Sequence, residues 1–249
     1  MIDQLAARYY QKKQIRLDPR YKPSDSIVTR TYLPGQSDSL VVIFPGWHTH
    51  KFPIDILAKR LNKRGWSVFW CELHDQILEP DDKTVVASFM HVRDEIVSEL
   101  RRLTTGRLYR KIHFIGISLG TVTMTLVVEK FPHFTEASIV VGGDNLAVDM
   151  WHGIRTLYLR DEFKKQKISV KKLALDWKEE APKNHVQRFE RKRVNLIMSQ
   201  TDKFILPKYQ KALKHSLEVA RADIIAKQRR TGHILTILRY CLIDKPVNT

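Results

Sequence analysis

The chain has 249 residues, of which 43% are hydrophobic, and a formal net charge of +16 at pH 7. A chain of this length can bury one sizeable core, and its apolar runs are too short to span a membrane. Its two cysteines, Cys71 and Cys241, form neither a disulfide framework nor a zinc-ligand pattern. The first residues lack a basic stretch followed by a long apolar one, so we expect a cytoplasmic protein without a secretory signal.

Apolar patterns predict strands that alternate with helices along most of the chain. Residues 27–33 alternate β-branched and polar side chains, as in a half-buried strand, and residues 40–44 are apolar throughout, as in a strand covered on both faces. Later strands are predicted at residues 66–71, 112–115, 137–142, 194–198 and 222–227. This alternation indicates an α/β fold with a doubly wound, mostly parallel sheet and helices on both faces.

One interval interrupts the alternation. Residues 146–192 have helical periodicity and many charges but no strand pattern. We therefore predict a single domain over residues 1–249, with a small helical cap or lid, residues 146–192, inserted between two strands. Apolar residues recur near helical spacing at its start and predict one apolar face: Leu146, Met150, Trp151, Ile154, Leu157 and Tyr158.

The segment Gly116-x-Ser118-x-Gly120 joins the strand at residues 112–115 directly to an apolar helix. A strand that turns sharply into a helix around a serine needs residues without Cβ atoms on either side. The backbone N–H of Leu119 then lies at a helix N-terminus, where partial positive charge accumulates. We predict that Ser118 is a nucleophile and Leu119 an oxyanion donor; a serine that only caps the helix is the alternative.

A serine hydroxyl is a weak nucleophile unless a base takes its proton and a third group orients that base. In open α/β sheets such groups lie on loops at the carboxyl ends of strands. Asp202 follows the strand at residues 194–198, and His233 follows the last predicted strand. Asp144 also follows a strand end and is the alternative acid. The predicted triad is Ser118, Asp202 and His233, in that chain order.

These motifs resemble those of the α/β-hydrolases over nearly the whole chain, from about residue 27 to the last helix. The resemblance implies that Ser118 is the nucleophile, Asp202 the acid and His233 the base. It also implies a second oxyanion donor after an earlier strand, which here is the N–H of Trp47 in Pro45-Gly46-Trp47. The family often has histidine where this chain has Pro45. The Trp47 side chain is expected to line the acyl pocket.

We expect a serine hydrolase, similar to esterases and lipases, that cleaves a carboxylic ester or thioester through an acyl-enzyme on Ser118. A peptidase or acyltransferase with the same triad, or a non-catalytic basic binding protein, are the alternatives. Neither a metal nor an organic cofactor is expected. His48 and His50 could be read as a metal-ligand pair, but no further ligand follows them at a suitable spacing.

The positive charge favours anionic partners, although a solvated surface is the simpler explanation. We expect a small acyl ester substrate, with an anionic or lipid-like ester and peripheral contact with an anionic membrane as further hypotheses, and no nucleic acid. Lysines in the predicted lid, among them Lys164, Lys165 and Lys167, could attract an anionic head group. The alternative is that these lysines are only solvated.

Overall fold

The computed structural model describes residues 28–47, 51–73 and 77–244. In this part of the chain, seven strands form one sheet in the order β1-β3-β2-β4-β5-β6-β7. Strand β1 is antiparallel to β3, and every other neighbouring pair is parallel. This confirms the predicted mostly parallel sheet. The strands are β1 Val28–Leu33, β2 Ser39–Phe44, β3 Ser67–Leu73, β4 Lys111–Ile117, β5 Glu136–Val140, β6 Arg193–Ser199 and β7 Asp223–Arg229.

Helices connect the strands. Within the described residues they are α1 Lys51–Asn62, α2 Asp82–Thr105, α3 Gly120–Lys130, α4 Leu146–His152, α5 Leu157–Lys165, α6 Val170–Asp176, α7 Pro207–Val219 and α8 His233–Leu242. Asp81 caps α2, because its side chain accepts a hydrogen bond from the N–H of Lys83 at 3.1 Å. None of the described helices is both long and apolar enough to cross a bilayer.

Side chains of the central strands alternate between two apolar layers, one on each face of the sheet. In β2, Val41 and Ile43 pack in the layer covered by α1 and α8. Leu40, Val42 and Phe44 pack in the opposite layer, with α2, α3 and α7. A strand buried on both faces needs apolar residues at every position, which is why residues 40–44 are apolar throughout. This double packing holds the carboxyl ends of β2, β4 and β6 in place around one site.

The interval between β5 and β6 contains α4, α5 and α6, followed by three short 3₁₀ helices: Lys178–Glu180, Pro182–Asn184 and Val186–Phe189. The apolar residues predicted at its start fall on two helices and the turn between them, because α4 ends at His152 and α5 begins only at Leu157. Gly153 caps α4 in an extended conformation, and a Cβ atom there would lie 2.3 Å from the carbonyl oxygen of Phe204. Whether this interval acts as a cap or lid of one domain stays a prediction.

Candidate active site

Ser118 lies in the tight turn between β4 and α3 and is partly exposed. Its φ angle is +53°, a left-handed conformation that a residue with a side chain adopts only when its surroundings impose it. Two hydrogen bonds hold it there: the Ser118 N–H donates to the Val140 carbonyl at 2.8 Å, and the Thr121 N–H donates to the Ser118 carbonyl at 2.9 Å. The turn presents the serine side chain at the carboxyl end of the sheet.

The glycines around Ser118 allow close packing. A Cβ atom on Gly120 would lie 1.9 Å from the carbonyl oxygen of Phe44, at the end of β2. A Cβ atom on Gly116 would lie 3.0 Å from the Cα atom of Thr121. The turn therefore packs directly against the segment that leads to Trp47.

Asp202 lies in the loop after β6 and is almost fully buried. Its Oδ1 atom accepts hydrogen bonds from the N–H groups of Phe204, at 2.8 Å, and Ile205, at 3.0 Å. Its Oδ2 atom accepts one from the Gln210 side chain at 2.9 Å. Gln210 is itself held by the Ser199 N–H and the Ile205 carbonyl. These donors fix the position and orientation of the carboxylate.

His233 is the first residue of α8, and its ring is buried. The Nδ1 atom lies 2.7 Å from Oδ2 of Asp202. A carboxylate can only accept a hydrogen bond, so Nδ1 carries the proton, and in a neutral ring Nε2 is then a proton acceptor. The ring also packs on Phe204, with centroids 4.9 Å apart. The structure thus joins the predicted base to Asp202 rather than to the alternative acid, Asp144.

The two residues predicted to supply oxyanion donors, Trp47 and Leu119, line the same cavity as Ser118. Leu119 is the N-cap of α3, so its N–H lies outside the helix's own hydrogen-bond ladder. Trp47 follows β2 and is buried, and its side chain lines the same cavity as Ser118 and Leu119. That the two N–H groups bind a carbonyl oxygen stays a prediction.

The cavity beside Ser118 contains about 530 Å³ of empty space, including its open mouth. Its walls are mainly apolar, with Leu78, Val122 and Met150 among them. Two ionisable residues also line it, Asp149 and Arg155. Such a space accommodates a small, partly apolar substrate.

The surroundings of the Asp149 carboxyl group favour its neutral form. Its Oδ1 atom is buried and has no hydrogen-bond partner within the described residues. Burial raises the pKa of Asp149 well above its usual range, and the neighbouring Asp144 and Asp202 raise the pKa further. Burial also raises the pKa of Asp144, although Lys183 opposes that shift. These shifts favour the protonated form of the cavity carboxyl.

The other histidines are not part of this cavity or lie outside the described residues. His48 and His50 are not among the described residues. Elsewhere in the described chain, no cluster of three or more histidine, cysteine or acidic side chains could hold a metal ion. A further histidine, His113, is buried in β4 away from the cavity, with its Nε2 atom 2.9 Å from the hydroxyl of Ser138.

The lysines of the predicted lid do not line the cavity. Lys164, Lys165 and Lys167 are all exposed, and Lys165 pairs with Glu162 at 2.6 Å. Any contribution of these lysines to capturing an anionic substrate or membrane therefore stays a prediction.

Comparison with solved structures places the architecture in a known class. Over 90% of its length the chain matches the acylaminoacyl peptidase of Pyrococcus horikoshii, with a TM-score of 0.62 and 15% identity. The chain has the α/β-hydrolase fold. It also matches a cold-adapted esterase from an Arctic intertidal metagenomic library, over 86% of its length with a TM-score of 0.61 and 16% identity. A lipase-esterase related protein from Clostridium acetobutylicum matches over 87%, with a TM-score of 0.54 and 15% identity.

The extent of these matches differs between the neighbours. The chain spans only 39% of the Pyrococcus peptidase but 83% of the Arctic esterase and 95% of the Clostridium protein. No protein-family model and no curated protein sequence matches the chain. Identities this low establish the fold and leave the reaction to be argued from the site.

Three residues of the site were missed by sequence reasoning. Gln210 lies inside an amphipathic helix, where a glutamine has no distinguishing local pattern. Asp149 and Arg155 lie in the interval predicted to be a lid, where charged residues are common. Gly153, between them, was the available signal, because a glycine inside a helical pattern often marks its end.

Proposed function

We propose that this protein is a serine hydrolase that cleaves a carboxylic ester or thioester through an acyl-enzyme on Ser118. The observation that carries the proposal is the 2.7 Å hydrogen bond between His233 Nδ1 and Asp202 Oδ2. It fixes the imidazole tautomer that a general base needs. The left-handed serine turn and the cavity that Ser118 shares with Trp47 and Leu119 support the same assignment.

In the proposed reaction, Ser118 Oγ attacks the carbonyl carbon of the ester while Nε2 of His233 takes the hydroxyl proton. The N–H groups of Trp47 and Leu119 stabilise the negative charge on the carbonyl oxygen. Collapse of this intermediate breaks the bond to the alcohol, which leaves with the proton from His233. Water, deprotonated by His233, then attacks the acyl-enzyme and releases the acid and Ser118. Asp202 holds the ring throughout.

An ester or thioester is favoured over a peptide by the extent of the structural matches. The esterase and the lipase-esterase related protein match over most of their own length, whereas well over half of the peptidase has no counterpart in this chain. The substrate is accordingly proposed to be a small molecule that fits the mainly apolar cavity. A cytoplasmic location and contact with anionic membranes stay predictions from the sequence.

Covalent labelling tests the nucleophile directly. A fluorophosphonate probe should add one adduct to the wild-type protein, and Ser118→Ala should abolish this adduct. The same substitution should lower kcat by about 10⁴–10⁶-fold. Ser98→Ala, at an exposed serine on α2, is the matched control and should retain both labelling and turnover. Labelling that persists in Ser118→Ala would disprove the assignment.

The bond type is tested with p-nitrophenyl esters of increasing chain length and the corresponding p-nitroanilides. Turnover of the esters, with the anilides much slower, supports the proposed function. Faster turnover of the anilides would instead favour the peptidase alternative.

A further inference from the structure

The turn that follows α4 inserts a positive charge into the wall of the candidate acyl cavity. Arg155 lines this cavity together with Ser118, and its Nε and Nη2 atoms are buried. By contrast, the lid lysines Lys164 and Lys165 are exposed and lie outside the cavity wall. Of these basic residues, Arg155 is the one that lines the cavity.

The backbone on both sides of Arg155 is anchored. Before it, the Ile154 N–H donates to the Lys203 carbonyl at 3.0 Å, which ties the turn to the loop that carries Asp202. After it, the buried Thr156 hydroxyl donates to the Met150 carbonyl at the end of α4. Arg155 therefore projects from a turn whose position is set with respect to the triad residues.

Two aromatic rings flank the guanidinium group. The Cζ atom of Arg155 lies 5.2 Å from the centroid of the Trp47 ring and 5.7 Å from that of Phe204. Both distances are within the range of cation–π attraction, which favours a planar guanidinium over such faces. Trp47 and Phe204 thereby orient the charge within the cavity and reduce its contact with water.

A guanidinium with buried nitrogen atoms in a mainly apolar cavity is well suited to bind a carboxylate. Its planar N–H groups match the two oxygens of a carboxylate, and low local dielectric strengthens the attraction. Asp149 is the acidic residue in the same cavity wall. Its raised pKa favours the neutral form, which does not compete with a bound anion and can donate a hydrogen bond.

We propose that Arg155 is a specificity-determining residue that selects esters whose acyl part ends in a carboxylate, such as half-esters of dicarboxylic acids. This inference rests on the proposed function, since it names the substrate class of the same site. In the productive complex the ester carbonyl lies at Ser118 and the free carboxylate lies against Arg155. The alkyl chain between them contacts the apolar wall.

The test compares monoethyl adipate with ethyl hexanoate, which has the same acyl length without the charge, by following ethanol release. The wild type should have the higher kcat/KM on monoethyl adipate. Arg155→Met should lower kcat/KM for monoethyl adipate by about 100-fold, the equivalent of one hydrogen-bonded ion pair, and leave ethyl hexanoate nearly unchanged. Arg155→Lys should restore part of the loss. Lys164→Met removes an exposed positive charge from the same interval and should alter neither substrate.

A binding measurement separates this inference from the proposed function. In Ser118→Ala, calorimetry should detect binding of monoethyl adipate, and adding Arg155→Met should raise Kd by about 100-fold. If fluorophosphonate fails to label Ser118 while this binding depends on Arg155, the hydrolase proposal fails and the anion site stands. If labelling succeeds but the wild type shows no preference for the half-ester, the inference about Arg155 is wrong. The inference would also be wrong if Arg155→Met lowered kcat/KM equally for both esters and left the Kd for the half-ester unchanged. Arg155 would then have only a structural role.

Discussion

The loop after β6 and the helix after β5 each place an aspartate near the candidate nucleophile, and their surroundings differ in one respect. Asp202 is buried and accepts four hydrogen bonds, from two backbone N–H groups, Gln210 and His233. Asp149 has a buried Oδ1 atom without a partner among the described residues, and its pKa is raised. Hydrogen bonds to a carboxylate stabilise its charge, whereas burial without them favours the neutral acid. The same residue type is therefore suited to orient a base in one region and to form an uncharged wall in the other.

The strongest test of this comparison exchanges each aspartate for asparagine. Asp202→Asn should lower kcat by about 10⁴-fold, because an asparagine amide favours the wrong tautomer of His233. Asp149→Asn should change kcat little, since asparagine resembles the neutral acid in shape and hydrogen bonding. Initial rates on a neutral p-nitrophenyl ester measure both effects. Asp144→Asn is the control for the alternative acid, and a larger loss there than in Asp202→Asn would reassign the acid.

A smaller effect is expected when the support of Asp202 is weakened. Gln210→Leu removes one donor to Oδ2 and leaves the Ser199 N–H and Ile205 carbonyl without their side-chain partner. Loss of a hydrogen bond to a charged group should lower kcat by about 10-fold. KM should remain similar, because Gln210 does not line the cavity. Gln187→Leu, at an exposed glutamine, should leave kcat unchanged. A rise in KM at constant kcat in Gln210→Leu would contradict a role through Asp202.

The smallest effect concerns stability and comes from Asp149. Its pKa in the folded protein is raised, so the folded state holds this proton at pH values where the unfolded chain has already released it. The contribution of Asp149 to folding stability therefore falls as pH rises from the usual range of an aspartate towards the raised value. Asp149→Asn should become increasingly stable relative to the wild type over that window.

Urea unfolding at several pH values from 4 to 8 measures this difference. Asp161→Asn, an exposed residue on α5, is the control and should follow the wild-type pH dependence more closely. If the free energy of unfolding of Asp149→Asn differed from that of the wild type by a constant amount over the whole range, the pKa of Asp149 would not be raised by folding.

Much of the sheet and of the serine turn could be predicted from local sequence. The apolar residues of β2 and the glycine spacing around Ser118 are short-range patterns, because strand burial and a tight turn both act on consecutive residues. The position of Asp202 and His233 at strand ends follows from one further rule, that the carboxyl ends of parallel strands meet at one edge. That rule identified candidates but left Asp144 open.

The support of Asp202 and the charge in the cavity depend on contacts between distant segments. Gln210 reaches Asp202 only because α7 packs behind the loop after β6, and no pattern within a helix distinguishes this glutamine. The apolar spacing at the start of the predicted lid did not show where α4 ends. The end lies at Gly153, where the Phe204 carbonyl approaches too closely for a residue with a Cβ atom.

Sequence alone therefore determined the order of the strands and helices along the chain and the chemical types of the candidate nucleophile, acid and base, since these depend on neighbouring residues and on one general property of parallel sheets. Tertiary structure decided which aspartate meets His233, which carboxyl has a buried oxygen without a partner among the described residues, and that Arg155 lies between Trp47 and Phe204. The physical reason is that burial and hydrogen bonding set the charge and orientation of a side chain, and both are defined only after distant segments have packed together.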